Sequence, residues 1–308
     1  MKTPKIFAVV MIVSIPMINP VSGKAQETAA ADAASDTLWK TGGIISLNLS
    51  QLALTNWAAG GENSISGNGL VQLSGDYNDG ILTWDNDLVL GYGMIKQGGD
   101  PARKTDDRIE LSSKLGYKAA GNWSYSGLVS FRTQFAEGYD DPGAENRVKI
   151  SDRMAPGYLN LSAGMDYRPS ESFSLLIAPL AGKITFVLDD ELSSLGSFDV
   201  DPGEQVRAEF GGFIKAGYQE EIMQNITLNT AVGLFSNYLE NPQYVDVNWD
   251  LLLSLKVNDY ISATLQTQLI YDRDILFGED ADGDGTPETF EPRVQFKELF
   301  GIGLNYTF

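Results

Sequence analysis

From Val294 to Phe308 apolar and polar positions alternate with a period of two residues. Phe300, Ile302, Leu304, Tyr306 and Phe308 fall on one face, and Gly301, Gly303, Asn305 and Thr307 on the other. A final strand of this kind leaves an adhesive margin if its sheet is open. If the sheet closes, the last strand pairs with the first and the margin disappears.

The same alternation recurs through the chain. A first strand runs through Ile45–Ser50, a second spans Ser64–Tyr77, and a third spans Leu82–Met94. In the third, Leu82, Trp84, Leu88, Leu90, Tyr92 and Met94 oppose Thr83, Asp85, Asp87, Gly91 and Gly93. The fourth presents Ile109, Leu111, Leu115 and Tyr117, the fifth Trp123, Tyr125, Val129, Phe131 and Phe135, and the sixth Leu159, Leu161, Met165 and Tyr167. The seventh, Phe173–Leu188, loses its alternation after Pro179, where a bulge is expected. An eighth strand from Val206, a ninth over Ile226–Tyr238, a tenth through Leu251, an eleventh over Ile261–Asp272 and the closing strand complete the set.

Short turns are predicted at 78–80, 119–122, 169–172, 219–224 and 258–259, and longer polar loops at 54–62, 96–107, 137–153, 189–204, 239–243 and 273–292. Turns and loops therefore alternate, as in an antiparallel up-and-down β-barrel that crosses a membrane with tight turns on the periplasmic side. Aromatic residues cluster beside the short turns (Tyr77 and Trp84, Tyr117 and Trp123, Tyr167 and Phe173), where a membrane–water boundary favours them. The reading is an all-β transmembrane barrel of about twelve strands over residues 41–308. Glu298 is its misfit: it falls on the lipid face unless a bulge lies near Leu299.

The other end of the chain bears on location. Lys2 and Lys5 precede an apolar run from Ile6 to Met17, and Gly23-Lys24-Ala25 supplies small residues around a cleavage point, so residues 1–25 read as a secretory signal peptide. Residues 26–40 read as a mobile periplasmic leader rich in Ala, Asp and Ser. The chain has no cysteine, which excludes disulfides and anchorage through a lipidated cysteine. Its formal net charge of −19 repels nucleic acid.

Several segments also carry a resemblance. LSQLALTNWAAGGENSIS, TWDNDLVLGYG, RKTDDRIELSSKLGY, FRTQF, MAPGYLNLSAGMDY, APLAGKITFV, LFSNYL and VNWDLLLSLKVNDYISATLQTQLIYD, between Trp39 and Asp272, resemble a Bacteroidetes outer-membrane family filed as a domain of unknown function, number three thousand and seventy-eight. The resemblance implies the cell outer membrane and supplies no activity or catalytic residues. The closing strand likewise resembles that of bacterial outer-membrane barrels, in which the C-terminal aromatic, here Phe308, is read by the barrel assembly machinery. Outer-membrane lipid and that machinery are the expected partners, and no protein partner is named by the sequence.

Candidate chemistry is limited by the absence of histidine, without which Ser-His-Asp and related arrangements cannot be built. Asp85 and Asp87 could do acid–base work but read more simply as wall charges, so no catalytic residue is assigned. The expected lumen lining mixes Arg108, Lys114, Arg132, Arg207 and Lys215 with Asp87, Glu110, Glu209, Asp246 and Asp250. Such a lining suits a narrow passage for small solutes or ions, or an ion-pair network that plugs the barrel and leaves a membrane scaffold for other envelope proteins. In the last long loop Asp280, Asp282, Asp284, Gly285, Glu288 and Glu291 match positions one, three, five, six, nine and twelve of a calcium loop. Calcium is thus the one cofactor expected, although Pro287 and the lack of flanking helices depart from that pattern.

Overall fold

A computed structural model describes residues 38–55, 58–59, 61–144, 146–258, 260–279 and 289–308. The signal segment 1–25 and the leader up to residue 37 lie outside the described residues. In chain order the strands are β1 (Trp39–Leu52), β2 (Ser64–Asn78), β3 (Leu82–Gln97), β4 (Arg103–Ala120), β5 (Trp123–Thr133), β6 (Gly138–Tyr139), β7 (Lys149–Ser151), β8 (Gly157–Tyr167) and β9 (Phe173–Phe186). A short helix α1 (Asp190–Ser194) and a 3-10 turn (Ser197–Asp199) follow. Then come β10 (Val206–Met223), β11 (Ile226–Asn237), β12 (Asp246–Lys256), β13 (Ile261–Tyr271), β14 (Leu276–Glu279), β15 (Thr289–Pro292) and β16 (Gln295–Thr307).

Twelve of these close into an antiparallel barrel. Around the wall the order is β1, β16, β13, β12, β11, β10, β9, β8, β5, β4, β3, β2 and back to β1. The remaining strands form two small hairpins, β6 with β7 and β14 with β15, within the long loops. Period-two alternation sets the two faces of the wall. Leu304, Ile302, Phe300 and Tyr306 of β16 are each about 60% exposed on the outside. Leu115, Tyr117, Tyr125, Val129 and Leu161 continue this apolar exterior on β4, β5 and β8.

The turns at one end are tight for identifiable reasons. At 79–81 the Asp79 carboxylate accepts from the amides of Ile81 (2.9 Å) and Leu82 (2.6 Å), which holds its carboxyl below the usual range. Gly80 takes the left-handed φ of 85° that this turn requires. The opposite end carries the long loops. There the 187–205 loop has its own small apolar core of Ala155, Val187, Leu192 and Val200, with Phe198 packed on it. The amide of Leu192 donates to Asp189, the cap of α1.

Several boundaries differ from the sequence reading. β1 starts at Trp39, two residues before 41, because Trp39–Gly43 pair with Leu73–Tyr77. The loop expected over 96–107 shrinks to 98–102, since β3 and β4 stay paired as far as Ile95 and Arg103. Likewise β10 continues to Met223 through the segment expected to turn at 219–224. Glu298 does face outward, opposite Thr267, and β13 and β16 stay in unbroken register past Leu299, so no bulge relieves it.

The bulge near Pro179 has the largest consequence. Ala163 pairs with Leu180 but Met165 with Ile177, so β9 carries one residue more than its neighbour there. Proline has no amide hydrogen to give the ladder. Facing inverts across the bulge: Leu176 and Ala178 point inward on the turn side, Ala181, Lys183 and Thr185 on the loop side.

Candidate functional site

Among the described residues, charged side chains from many strands meet in the lumen. Strand register places Asp87, Arg108, Glu110, Lys114, Arg132, Arg207, Glu209, Lys215, Asp246 and Asp250 on its inner face. These residues divide among separate groups, joined by partners that the sequence reading did not include.

Near the short turns, Lys114 Nζ lies 3.0 Å from Asp166 and 3.9 Å from Asp85. Arg168 binds Asp85 and also Asp166, the latter at 2.7 Å. The Asp85–Asp87 pair therefore does not act as a carboxylate couple, because Asp85 is occupied by two cations. Beside this cluster an apolar patch of Leu128, Leu176 and Ala178 with Phe213 fills part of the lumen.

At mid-height Arg132 pairs with Glu110 at 3.2 Å, and Gln268 Nε2 donates to Asp250 Oδ1 at 2.8 Å. Two contacts here cross the lumen. Arg108 on β4 donates to Gln266 Oε1 on β13 at 2.8 Å, although β3, β2, β1 and β16 stand between those strands in the wall. Lys297 on β16 reaches Asp106 on β4 at 2.7 Å, and Arg108 adds a weaker contact at 3.8 Å.

Toward the loops Lys183 Nζ sits among Asp272 (2.9 Å), Asp246 (3.1 Å) and Glu209 (3.4 Å). Arg207 contacts Asp199, Asp274 (3.0 Å), Glu240 (3.4 Å) and Glu209 (3.8 Å) at the mouth. A cavity of about 440 Å³ opens there, lined also by Asp201 and Glu204. The mouth is acidic, with two cations among six carboxylates in direct contact. Among the described residues no set of carboxylates converges to hold a metal ion. Asp280, Asp282, Asp284 and Glu288 of the calcium pattern lie outside the described residues, and Glu291 sits in β15 opposite Phe277.

Four partners absent from the sequence reading are central. Asp166 and Lys297 were open to discovery, since they alternate against Met165 and Glu298 on regular strands. Asp106 shares the inward face of Arg108, two residues on, but fell within the loop expected over 96–107; Lys183 was not open to discovery. The extra residue of β4, Thr105, lies between Lys104 paired with Met94 and Asp106 paired with Gly93, on the loop side of Asp106, and leaves its facing unchanged. Lys183 lies beyond the Pro179 bulge, and simple alternation from Leu176 would have pointed it outward.

Residues 49–139 match the model of a family described as a protein of unknown function (DUF3078). That is a shorter stretch than the resemblance traced between Trp39 and Asp272. No curated protein matches. Among solved structures the chain is similar to an outer membrane channel from Pseudomonas putida F1, at 13% identity over 91% of this chain and 99% of that one, with a TM-score of 0.37. It is also similar to the translocator domain of the autotransporter NalP from Neisseria meningitidis, at 9% identity over 90% of each chain and a TM-score of 0.39. The NanC porin aligns at 10% identity over 85% of this chain and 98% of that one, with a TM-score of 0.35. The likeness is one of barrel architecture.

Proposed function

We propose that this protein is an integral outer-membrane barrel of a Gram-negative envelope, exported by its signal peptide, that carries small ions or solutes along a narrow charged lumen. An exterior so rich in exposed leucine, isoleucine and aromatic side chains suits hydrocarbon, and closure leaves few backbone groups for lipid to strand. The observation that carries the passage reading is the exposure of charged side chains on the inner wall. Asp87 faces inward yet is exposed, and Arg132 and Glu110 keep about a quarter of their side-chain surface (25% and 26%) open to solvent. No catalytic role is assigned, since a chain without histidine lacks the usual base of serine hydrolases.

The test is single-channel conductance of the refolded protein in planar bilayers. Small-ion conductance is expected, and Arg132→Glu should shift selectivity toward cations, because a fixed charge acts strongly in a narrow, poorly screened pore.

The cross-lumen contacts of Arg108 with Gln266 and of Lys297 with Asp106 favour a second reading, a plugged scaffold for envelope partners. A folded protein that conducts at no voltage would establish that reading in place of the passage.

A further inference from the structure

The wall is closed least completely where the chain's two ends meet. β1 and β16 pair only over Ile44–Asn48 with Gly303–Thr307, extended by the mutual bonds of Gly43 and Phe308. β1 nevertheless pairs with β2 all the way to Leu52, and β16 with β13 back to Gln295. On the loop side of Asn48 the two strands thus keep their outer neighbours and lose their ladder pairing, with the Asn48 side chain packed against Gly301 at the boundary. In an antiparallel ladder every second residue directs its amide and carbonyl to the same neighbour. The mutual bonds of Phe308 therefore put Ile302, Phe300, Glu298 and Phe296 among those whose backbone groups aim into this gap.

Hydrocarbon alone cannot satisfy such groups. A second observation points to water in the gap. Glu298, a carboxylate on the outward face of an otherwise apolar strand, borders this stretch of β16 and has no bulge to turn it inward. A carboxylate is tolerated in a bilayer wall where lumen water reaches it. Around it the lips are apolar: Leu49 is 69% exposed, and Phe300 and Ile302 are close to that. On the inner side the gap meets Ser50, which shares a face with Asn48 and Asn68.

We propose that the loop-side half of the β1–β16 seam, past Asn48, is a wet lateral slit that joins the lumen to the bilayer and parts to admit the acyl chain of an amphipathic molecule. Its apolar lips take the tail, while Glu298 and the hydrated backbone edge accommodate a polar head. The inference rests on the barrel lying in a bilayer, as proposed above.

The chain's lack of cysteine permits single-site labelling. Ser50→Cys, Leu265→Cys and Ser112→Cys, each carrying bimane, are refolded into phosphatidylcholine vesicles containing acyl-chain doxyl lipid. Leu265 is the outward partner of Phe300, and Ser112 faces the lumen behind unbroken ladders to β3 and β5. The expected result is strong quenching at Leu265 and Ser50, within about twofold of each other, and little at Ser112. Quenching at Leu265 with none at Ser50 above the Ser112 level overturns the slit and leaves the bilayer placement intact. No quenching at Leu265 overturns both. Disulfide formation gives an independent measure: Leu47→Cys with Leu304→Cys, a registered pair, should oxidise at least tenfold faster than Leu49→Cys with Ile302→Cys. Equal rates mean a zipped seam and end the proposal.

Discussion

Lys297 Nζ lies 2.7 Å from Asp106 Oδ1 across 191 residues of sequence, joining the last strand of the barrel to the fourth. The Asp106 side chain is 3% exposed and that of Lys297 42%. Lys297→Ala therefore leaves a buried carboxylate with Asn68 and a distant Arg108 as partners. We expect a cost of about 1–3 kcal/mol, lowered by the solvent already screening the lysine, read from urea titration of the refolded protein. Asp106→Asn in the same chain should restore part of the loss. A neutral Lys297→Ala would show that the contact contributes nothing.

Orientation of the wall is tested by two lysines. Leu251 faces outward between Thr230 and Thr267, whereas Ser112 faces inward beside Asp87. Leu251→Lys should destabilise by roughly 2–4 kcal/mol if the residue lies near the bilayer midplane. Ser112→Lys should cost far less, since its ammonium meets a carboxylate and water. Refolding into vesicles with the reverse order of cost contradicts the assigned faces.

Gly164 stands where β8 meets the Pro179 bulge. A Cβ built there would overlap the Ile177 carbonyl oxygen and the Ala178 backbone. Gly164→Ala should cost at least the ~1–3 kcal/mol of an overpacked site. Gly69→Ala, whose nearest neighbour is the Tyr92 carbonyl oxygen at 3.9 Å, serves as the control. Similar denaturant midpoints for the two variants would mean that the bulge yields readily.

The 187–205 loop should respond to pH. Asp189 accepts from Lys149 Nζ at 2.7 Å and from the Leu192 amide at 2.9 Å, and the lysine bond is the larger cause of its lowered pKa. A depressed carboxylate contributes above its unfolded pKa of about 3.9 and ceases to as pH falls through the folded value. Lys149 is raised by the same bond, so its share is complete below about 10.4 and is lost only at more alkaline pH. Amide-exchange protection of Leu192 should hold between those limits and fall in acid below about pH 4. In Asp189→Asn the acid step should disappear, and its persistence would assign the step to another group.

Calcium remains the expectation for the Asp280–Glu291 motif. Extracellular sites of this kind bind in the range of about 10⁻⁴–10⁻³ M. Millimolar calcium should slow proteolysis near Phe290 where magnesium does not, and Asp282→Ala with Asp284→Ala should remove the protection. Cleavage that ignores calcium, magnesium and chelator alike rules out the site.

Alternation alone determined much of this protein. A two-residue period with apolar residues on one side makes β16, β12 and β5 into strands with one oily face, because successive side chains must leave a strand on opposite sides. The spacing of tight turns and long loops determined which end is which, since Asn78-Asp79-Gly80 can reverse the chain in place and an acidic stretch of twenty residues need not. The tertiary structure decided what alternation cannot carry. One extra residue at Pro179 turns Lys183 from the lipid side into a cage of three carboxylates, and the continuation of β4 through the expected loop brings Asp106 into the wall, where Lys297 reaches it. Whether two inward residues meet depends on stagger as well as facing. Stagger is set by all twelve strands closing together, and so is the point at which β1 and β16 stop pairing after Asn48 and Gly303.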